Sequence, residues 1–264
     1  MVTGLLFSMP VNKNTIKNKE LSILVFRDGF SFCSSDKQKF FDNKQIIQKD
    51  SNFENLLKQE GFLEAEKIQG IYFNQPATFV PTAVYQAQNK EKYLANNIQW
   101  NRELSVAENE SQDKKIKILY PFDPAIEKTL KSYFKTIGFS HYTQVLYDLL
   151  LESDRMADQV VMSLHLQDDR LDVFIFRGKA LLFYNSYPYK NEKEFLYYVM
   201  AVAEELSLVP EAFEMVFLGK DQKYERLYKA ITPYHSNISF ADSDKRPLIV
   251  ENTQPAPYFT NLFA

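Results

Sequence analysis

Glycine is scarce in this 264-residue chain: there are seven, Gly4, Gly29, Gly61, Gly70, Gly138, Gly178 and Gly219, and no two lie closer than nine residues. An average chain carries about 7% glycine. A glycine-rich phosphate loop, which needs several bare backbone positions together, is therefore excluded. Cysteine is confined to Cys33, so no internal disulfide forms. The opening MVTGLLFSMPVN has neither a basic stretch nor a long apolar core, and the expected setting is cytoplasmic rather than secreted. Three scattered histidines, His141, His165 and His235, include no His-x-x-x-His pair, and no Cys-x-x-Cys exists, so no metal site is expected. No apolar run approaches the roughly 18 residues of a membrane span. A net charge of −3 gives no basic excess, which makes a nucleic-acid partner the weakest class.

Apolar and aromatic side chains are plentiful: 45% of residues are hydrophobic, with 22 Phe and 16 Tyr. A chain of this length buries roughly three quarters of its unfolded surface, in one large or two modest domains. Leu21 to Phe26, Arg27-Asp28-Gly29 and Phe30 to Ser35 read as two strands joined by an Asp-Gly turn, with a third strand in FFDNKQII. Ser51 and Glu54 have capping-box spacing ahead of a helix that carries Phe53, Leu56 and Leu57 and stops near Gly61. Lys67 to Asn74 is a strand. A helix over about 82–96, a strand from Lys115 to Tyr120, and a helix opened by Asp123-Pro124 with Ile126, Leu130, Phe134 and Ile137 on one face complete this half.

The order then repeats about 140 residues later. Val160 to Leu166, Leu171 to Phe176 and ALLFYNSY are three strands separated by turns at 167–170 and 177–179. Asn191 with Glu194 caps a helix whose stripe is Phe195, Val199, Val202 and Leu206. Phe213 to Gly219 is a strand, Asp221 precedes a helix bearing Tyr224, Leu227 and Tyr228, and NISF follows as a strand. The expected organisation is a lead-in at 1–19, a first α/β subdomain at 20–142, a second at 143–243 and an extended tail at 244–264.

Three antiparallel strands, helix, strand, helix, strand, spelled twice, resemble the duplicated ribonuclease-H-like unit of the actin-like ATPases, the superfamily of actin, sugar kinases and Hsp70-type chaperones. The layout is similar to that of actin-like pilus-assembly proteins, in the segment KIKILYPFDPAIEKTLKSYFKTIGF before the second unit and in VVMSLHLQDDRLDVFIF that opens it. LSILVFRDGFSFCSSD with this second half looks like a family of uncharacterised Bacteroidetes proteins of that fold. The resemblance covers about residues 20 to 242 and implies two mixed five-stranded sheets with flanking helices, facing each other across a cleft.

It also implies where an ATPase would keep its motifs. The first hairpin of the superfamily carries an Asp-x-Gly turn; here Arg27, Asp28 and Gly29 stand there, with Asp and Gly adjacent rather than spaced. The second phosphate turn matches His165, Asp168 and Asp169 and has no glycine, and the adenosine-packing glycine pair becomes Gly219-Lys220. Phosphate oxygens are held by bare consecutive N–H groups, and two adjacent carboxylates repel triphosphate. These eight residues therefore read as a vestigial cleft, with no catalytic, cofactor-binding or metal role. Asp28, Asp36, Asp168, Asp169 and Asp172 are read as turn residues rather than a two-metal cluster, and Cys33 as a core side chain.

Tyr184, Tyr187 and Tyr189, with Tyr197 and Tyr198 nearby, form a tyrosine-rich cluster that reads either as a sheet edge packed on a helix or as a protein-binding patch. The apolar ending PAPYFTNLFA either covers the molecule's own groove or is presented to a partner as an extended peptide. The preferred reading is a non-catalytic scaffold acting through an unidentified protein partner, as monomer or dimer. The alternatives are an atypical ATPase or nucleotide-gated switch, and a weak nucleic-acid-binding protein.

Overall fold

The computed structural model describes residues 20–26, 29–33, 38–42, 51–73, 76–153, 155–218 and 222–241. Strands β1 (Glu20–Val25), β2 (Gly29–Cys33) and β3 (Gln38–Asp42) make an antiparallel meander. Helix α1 (Ser51–Gln59) follows with Phe53 and Leu57 buried and Leu56 exposed. The chain then passes Gly61, whose φ of 75° suits glycine. Strand β4 (Lys67–Tyr72) runs parallel to β1.

The next stretch departs from the sequence expectation. Strand β5 (Thr78–Pro81), helix α2 (Lys90–Asn97), and strands β6 (Ser105–Glu110) and β7 (Ile116–Phe122) form a separate unit, a three-stranded antiparallel sheet in the order β5-β7-β6 around Val80, Leu94, Val106 and Leu119. The helix expected from Thr82 begins only at Lys90, because 82–84 and 87–89 are isolated 3-10 turns separated by an extended Tyr85. The strand read from Lys115 to Tyr120 exists, as β7, but belongs to this inserted sheet.

The fifth strand of the first large sheet is instead β8 (Gly138–His141), parallel to β4. It follows helix α3 (Pro124–Tyr133), where Asp123 accepts from the Ala125 amide at 2.8 Å and Ile126, Leu130, Phe134 and Ile137 are all buried. Helix α4 (Tyr142–Glu152) then leads to the second unit, capped by His141, whose Nδ1 lies 2.7 Å from Thr143 Oγ1.

The second unit consists of β9 (Val160–Leu166), β10 (Arg170–Arg177), β11 (Ala180–Pro188), α5 (Glu192–Glu205), β12 (Phe213–Phe217), α6 (Glu225–Ile231) and β13 (Ile238–Phe240). Both large sheets share one strand order, β3-β2-β1-β4-β8 and β11-β10-β9-β12-β13. Even the opening hairpins match: Phe26 N donates to Gly29 O, and Gln167 N to Arg170 O, each at 2.8 Å. Gly29 is accordingly the first residue of β2 rather than part of the turn.

Alternation along the second sheet decides what meets what. Leu171, Val173 and Ile175 join Met162, Leu164 and Leu166 on the face covered by Phe195, Val199 and Leu227. The intervening Asp172, Phe174 and Phe176 point the other way, at the first unit. There Phe174 meets Phe79, and Phe176 meets Tyr147, at ring separations of 6.1 and 5.7 Å, so that one apolar core runs through both halves.

Candidate functional site: a sealed junction beside a cleft

His165 lies on the same sheet face as Asp172, directly across the β9–β10 pairing. Its Nδ1–H donates to Asp172 Oδ2 at 2.9 Å. From the first half, the hydroxyl of Tyr142, at the start of α4, reaches both carboxylate oxygens at 3.0 Å. Gln167 Nε2 donates to the Tyr142 hydroxyl at 3.0 Å and to Asp172 Oδ2 at 3.1 Å. All four residues are fully buried.

A carboxylate in that position resists ionisation because burial withholds water, yet the net effect here runs the other way. The His165 N–H and its charge interaction, followed by the hydroxyls of Ser186 and Tyr142, outweigh burial and hold Asp172 below the usual carboxylate range. Burial keeps the Tyr142 phenol well above its ordinary value, so it remains a donor. His165 Nε2 and Gln167 Oε1 have no hydrogen-bond partner among the described residues. A His–Asp pair with a free Nε2 has the parts of a general base. Phe73 and Tyr142 lie against it, with ring centroids 6.2 and 5.7 Å from the imidazole, and the imidazole is buried. The cluster therefore acts as a polar lock between the halves.

Of the eight residues expected to share a cleft, Gly29, His165, Asp168 and Asp169 are described. Arg27, Asp28, Gly219 and Lys220 lie outside the described residues, as do Asp36 and the PAPYFTNLFA ending. His165 faces the other half, as expected, but is sealed in. Asp168 and Asp169 face solvent at the tip of the turn, where Asp168 takes an ion pair from Lys223 at 2.6 Å and a hydrogen bond from the Tyr224 hydroxyl at 3.0 Å. Asp172, read as one of several turn aspartates, is a strand residue and the centre of the lock. Among the described residues no group of three His, Cys, Asp or Glu could hold a metal ion, and no helix is long and apolar enough to cross a membrane.

The tyrosine cluster also divides. Tyr184 is stacked on Phe79 at 4.0 Å and packed against Phe174, so it belongs to the junction. Tyr189 is buried and donates its hydroxyl to the Gln167 carbonyl at 2.6 Å, which removes it from any partner-facing surface. Tyr187 stacks on Tyr198 at 4.6 Å, and Tyr197, 67% exposed, packs edge-on beside them. His235 stacks on Phe213 and bonds the Asn237 carbonyl, a structural role.

Next to the lock is a cleft of about 440 Å³. One wall is the start of β5 with the residues before it, the other is β11, and Arg170 and the Asn97–Gln99 stretch close its ends.

No curated protein matches the sequence. Among solved structures, a Bacteroides thetaiotaomicron protein described as having an actin-like ATPase fold and unknown function superposes with a TM-score of 0.73 at 20% identity, over 85% of this chain and 91% of that one. The PilM–PilN type IV pilus biogenesis complex aligns at a TM-score of 0.42 and 11% identity, over 86% of this chain and 89% of that one. The Alp12 filament aligns at 0.39 and 8%, over 86% and 95%. The first of these, with the two sheets of identical order, gives the chain the actin-like ATPase fold. The profile of DUF3822, a family described as protein of unknown function, matches residues 9–238, and the chain belongs to that family.

Proposed function

We propose that this chain is a cytoplasmic protein-binding member of the actin-like fold that works through contact with a protein partner and without phosphate transfer. The observation that carries this reading is the Tyr142–Asp172–His165–Gln167 lock. His165 occupies the approximate place of the second catalytic Asp in the superfamily the sequence resembles, and here that place is tied to its own carboxylate and covered by aromatic rings. Phosphate binding by backbone donors demands a bare, open turn. The turn after β9 instead offers two outward carboxylates, one of them engaged by Lys223. Fold alone does not give function, so support for a binding role comes from the site and from the accessible cleft beside it.

Titration calorimetry of the full chain with Mg-ATP is expected to show no binding, and affinity capture followed by cross-linking is expected to return a stoichiometric protein partner. Micromolar ATP binding would overturn the reading.

A further inference from the structure

The cleft beside the lock runs along a strand edge. Phe183, Tyr184, Asn185 and Ser186 all line it. Consecutive residues of a strand point to opposite faces, so a cavity touching four in a row lies against the backbone edge rather than against one face. Among the described residues, β11 is the last strand of the second sheet, and β5, opposite, is the edge of the inserted sheet. Two sheet edges thus flank one groove.

The parity of the outer groups follows from the hydrogen bonds. Tyr189 N donates to Asp169 O, inside the hairpin. Ser186 N–H is held by its neighbour's Asn185 Oδ1 at 2.8 Å instead of by β10. In an antiparallel pair, residues two apart share a direction. Tyr184 and Ser186 therefore turn their backbone groups toward the groove, and the Asn185 amide oxygen stands where the carbonyl of an added strand would sit.

Charge and unmet polarity narrow the occupant. Among the described residues that line the cleft, Arg170 is the only Lys, Arg, Asp or Glu. Its guanidinium reaches the Ser186 hydroxyl at 3.4 Å and makes no ion pair among the described residues. Asp172, below, is already bonded by His165, Tyr142 and Gln167. Thr78, 6% exposed, lines the opposite wall with a hydroxyl that has no partner among the described residues. A volume of about 440 Å³ suits a few residues of chain and falls within the roughly 300–1,000 Å³ of ligand sites.

We propose that this groove receives an extended, acid-bearing peptide of a partner protein, which adds as a strand to β11 and sets its carboxylate on Arg170. Strand addition provides affinity through main-chain bonds, and the guanidinium provides selection. The inference rests on the protein-binding reading above and gives it a surface and a partner chemistry.

The probe is a displayed library of random heptapeptides selected on the intact chain, followed by polarisation measurements with the selected peptides. Selected peptides are expected to carry Asp or Glu at one fixed position and to lose about tenfold or more in affinity against Arg170→Glu, as for an interfacial Arg anchor. Replacing that acid by Lys is expected to restore binding to the variant. On the wild-type chain, peptide is expected to slow hydrogen exchange at the Tyr184 amide, a measurement independent of whether the variant folds.

Selection of no peptide, equal binding to Arg170→Glu, or unchanged exchange along β11 would overturn the proposal. So would concentration-dependent dimers that protect the same amides without peptide, since a second copy would then be the occupant. A captured partner that still binds Arg170→Glu would defeat this inference while leaving the protein-binding reading in place.

Discussion

Gly178 turns the chain between β10 and β11 at a φ of 54°, and a Cβ built there would lie 2.5 Å from the Ala157 carbonyl oxygen. Gly61 is also left-handed, with a φ of 75°, but nothing lies within 4 Å of its missing Cβ. Gly178→Ala is thus expected to cost about 2–3 kcal/mol, from conformation and collision together, and Gly61→Ala about 1 kcal/mol, from conformation alone. Urea midpoints with unchanged slope test both, and equal losses would contradict the steric account. Asp172 gives the molecule a pH dependence of known sign. A carboxylate held below its unfolded value stabilises the fold while ionised. That contribution is complete above about pH 5, fades as pH falls past the unfolded value of about 3.9, and is gone below the folded value. Asp172→Asn is expected to flatten stability between pH 5 and 3 relative to wild type; superimposable profiles would exclude Asp172 as the source. The pairing of Asp172 with His165 is missed where Asp172 is read with the turn aspartates, although the sequence holds a countable signal. A two-residue turn at Asp168-Asp169 sets 167 opposite 170, and counting back along both strands sets 165 opposite 172. Tyr142 was not legible, because nothing in local spacing connects a helix start to a strand in the other half.

Helix α5 shows an element written clearly in its sequence. Asn191 Oδ1 accepts from the Lys193 and Glu194 amides, each at 3.0 Å, as the spacing predicts, while the Glu194 carboxylate accepts from the Lys190 amide at 2.9 Å, one residue before the cap rather than at the cap itself. Asn191→Ala is expected to cost about 1 kcal/mol, read from the thermal midpoint, and a loss below about 0.3 kcal/mol would mean that packing of Phe195 and Val199 alone fixes the helix start. Some elements escaped reading because their pattern carries little burial. β6, SVAENE, has one buried residue, Val106, because it is the polar edge of the inserted sheet. β8 is four residues long, too short for alternation to declare itself. Residues 82–89 have helix-like composition, but Tyr85 is extended with ψ 134°, and regular helix starts only at Lys90.

The core that passes through Phe174 and Phe176 into the first half makes the two sheets one cooperative object. The single Trp100 lies at the rim of the inserted sheet's own small cluster, with Arg102 stacked 5.2 Å from its ring. Tryptophan fluorescence therefore follows the insert, while far-UV circular dichroism follows the large sheets. Coincident urea transitions by the two probes are expected if the insert unfolds with the rest, and an earlier fluorescence transition would mark it as a separate unit. Tyr142→Phe removes the donor that the first half extends to Asp172 and is expected to lower stability by about 1–3 kcal/mol, measured by urea unfolding. The duplication was visible as an order of elements, whereas the insert was hidden, since β7 reads as a plausible fifth strand until β8 is seen beside β4. The lock has a further consequence during synthesis. Tyr142 leaves the ribosome 30 residues ahead of Asp172, and Tyr147 and Phe79 likewise precede Phe174 and Phe176. Domains tend to fold N-terminal first as they are made. A nascent chain halted just past α4 would hold a completed first sheet with its mating aromatic face still wet, so the interval before β10 emerges is when that face is most open to misassociation.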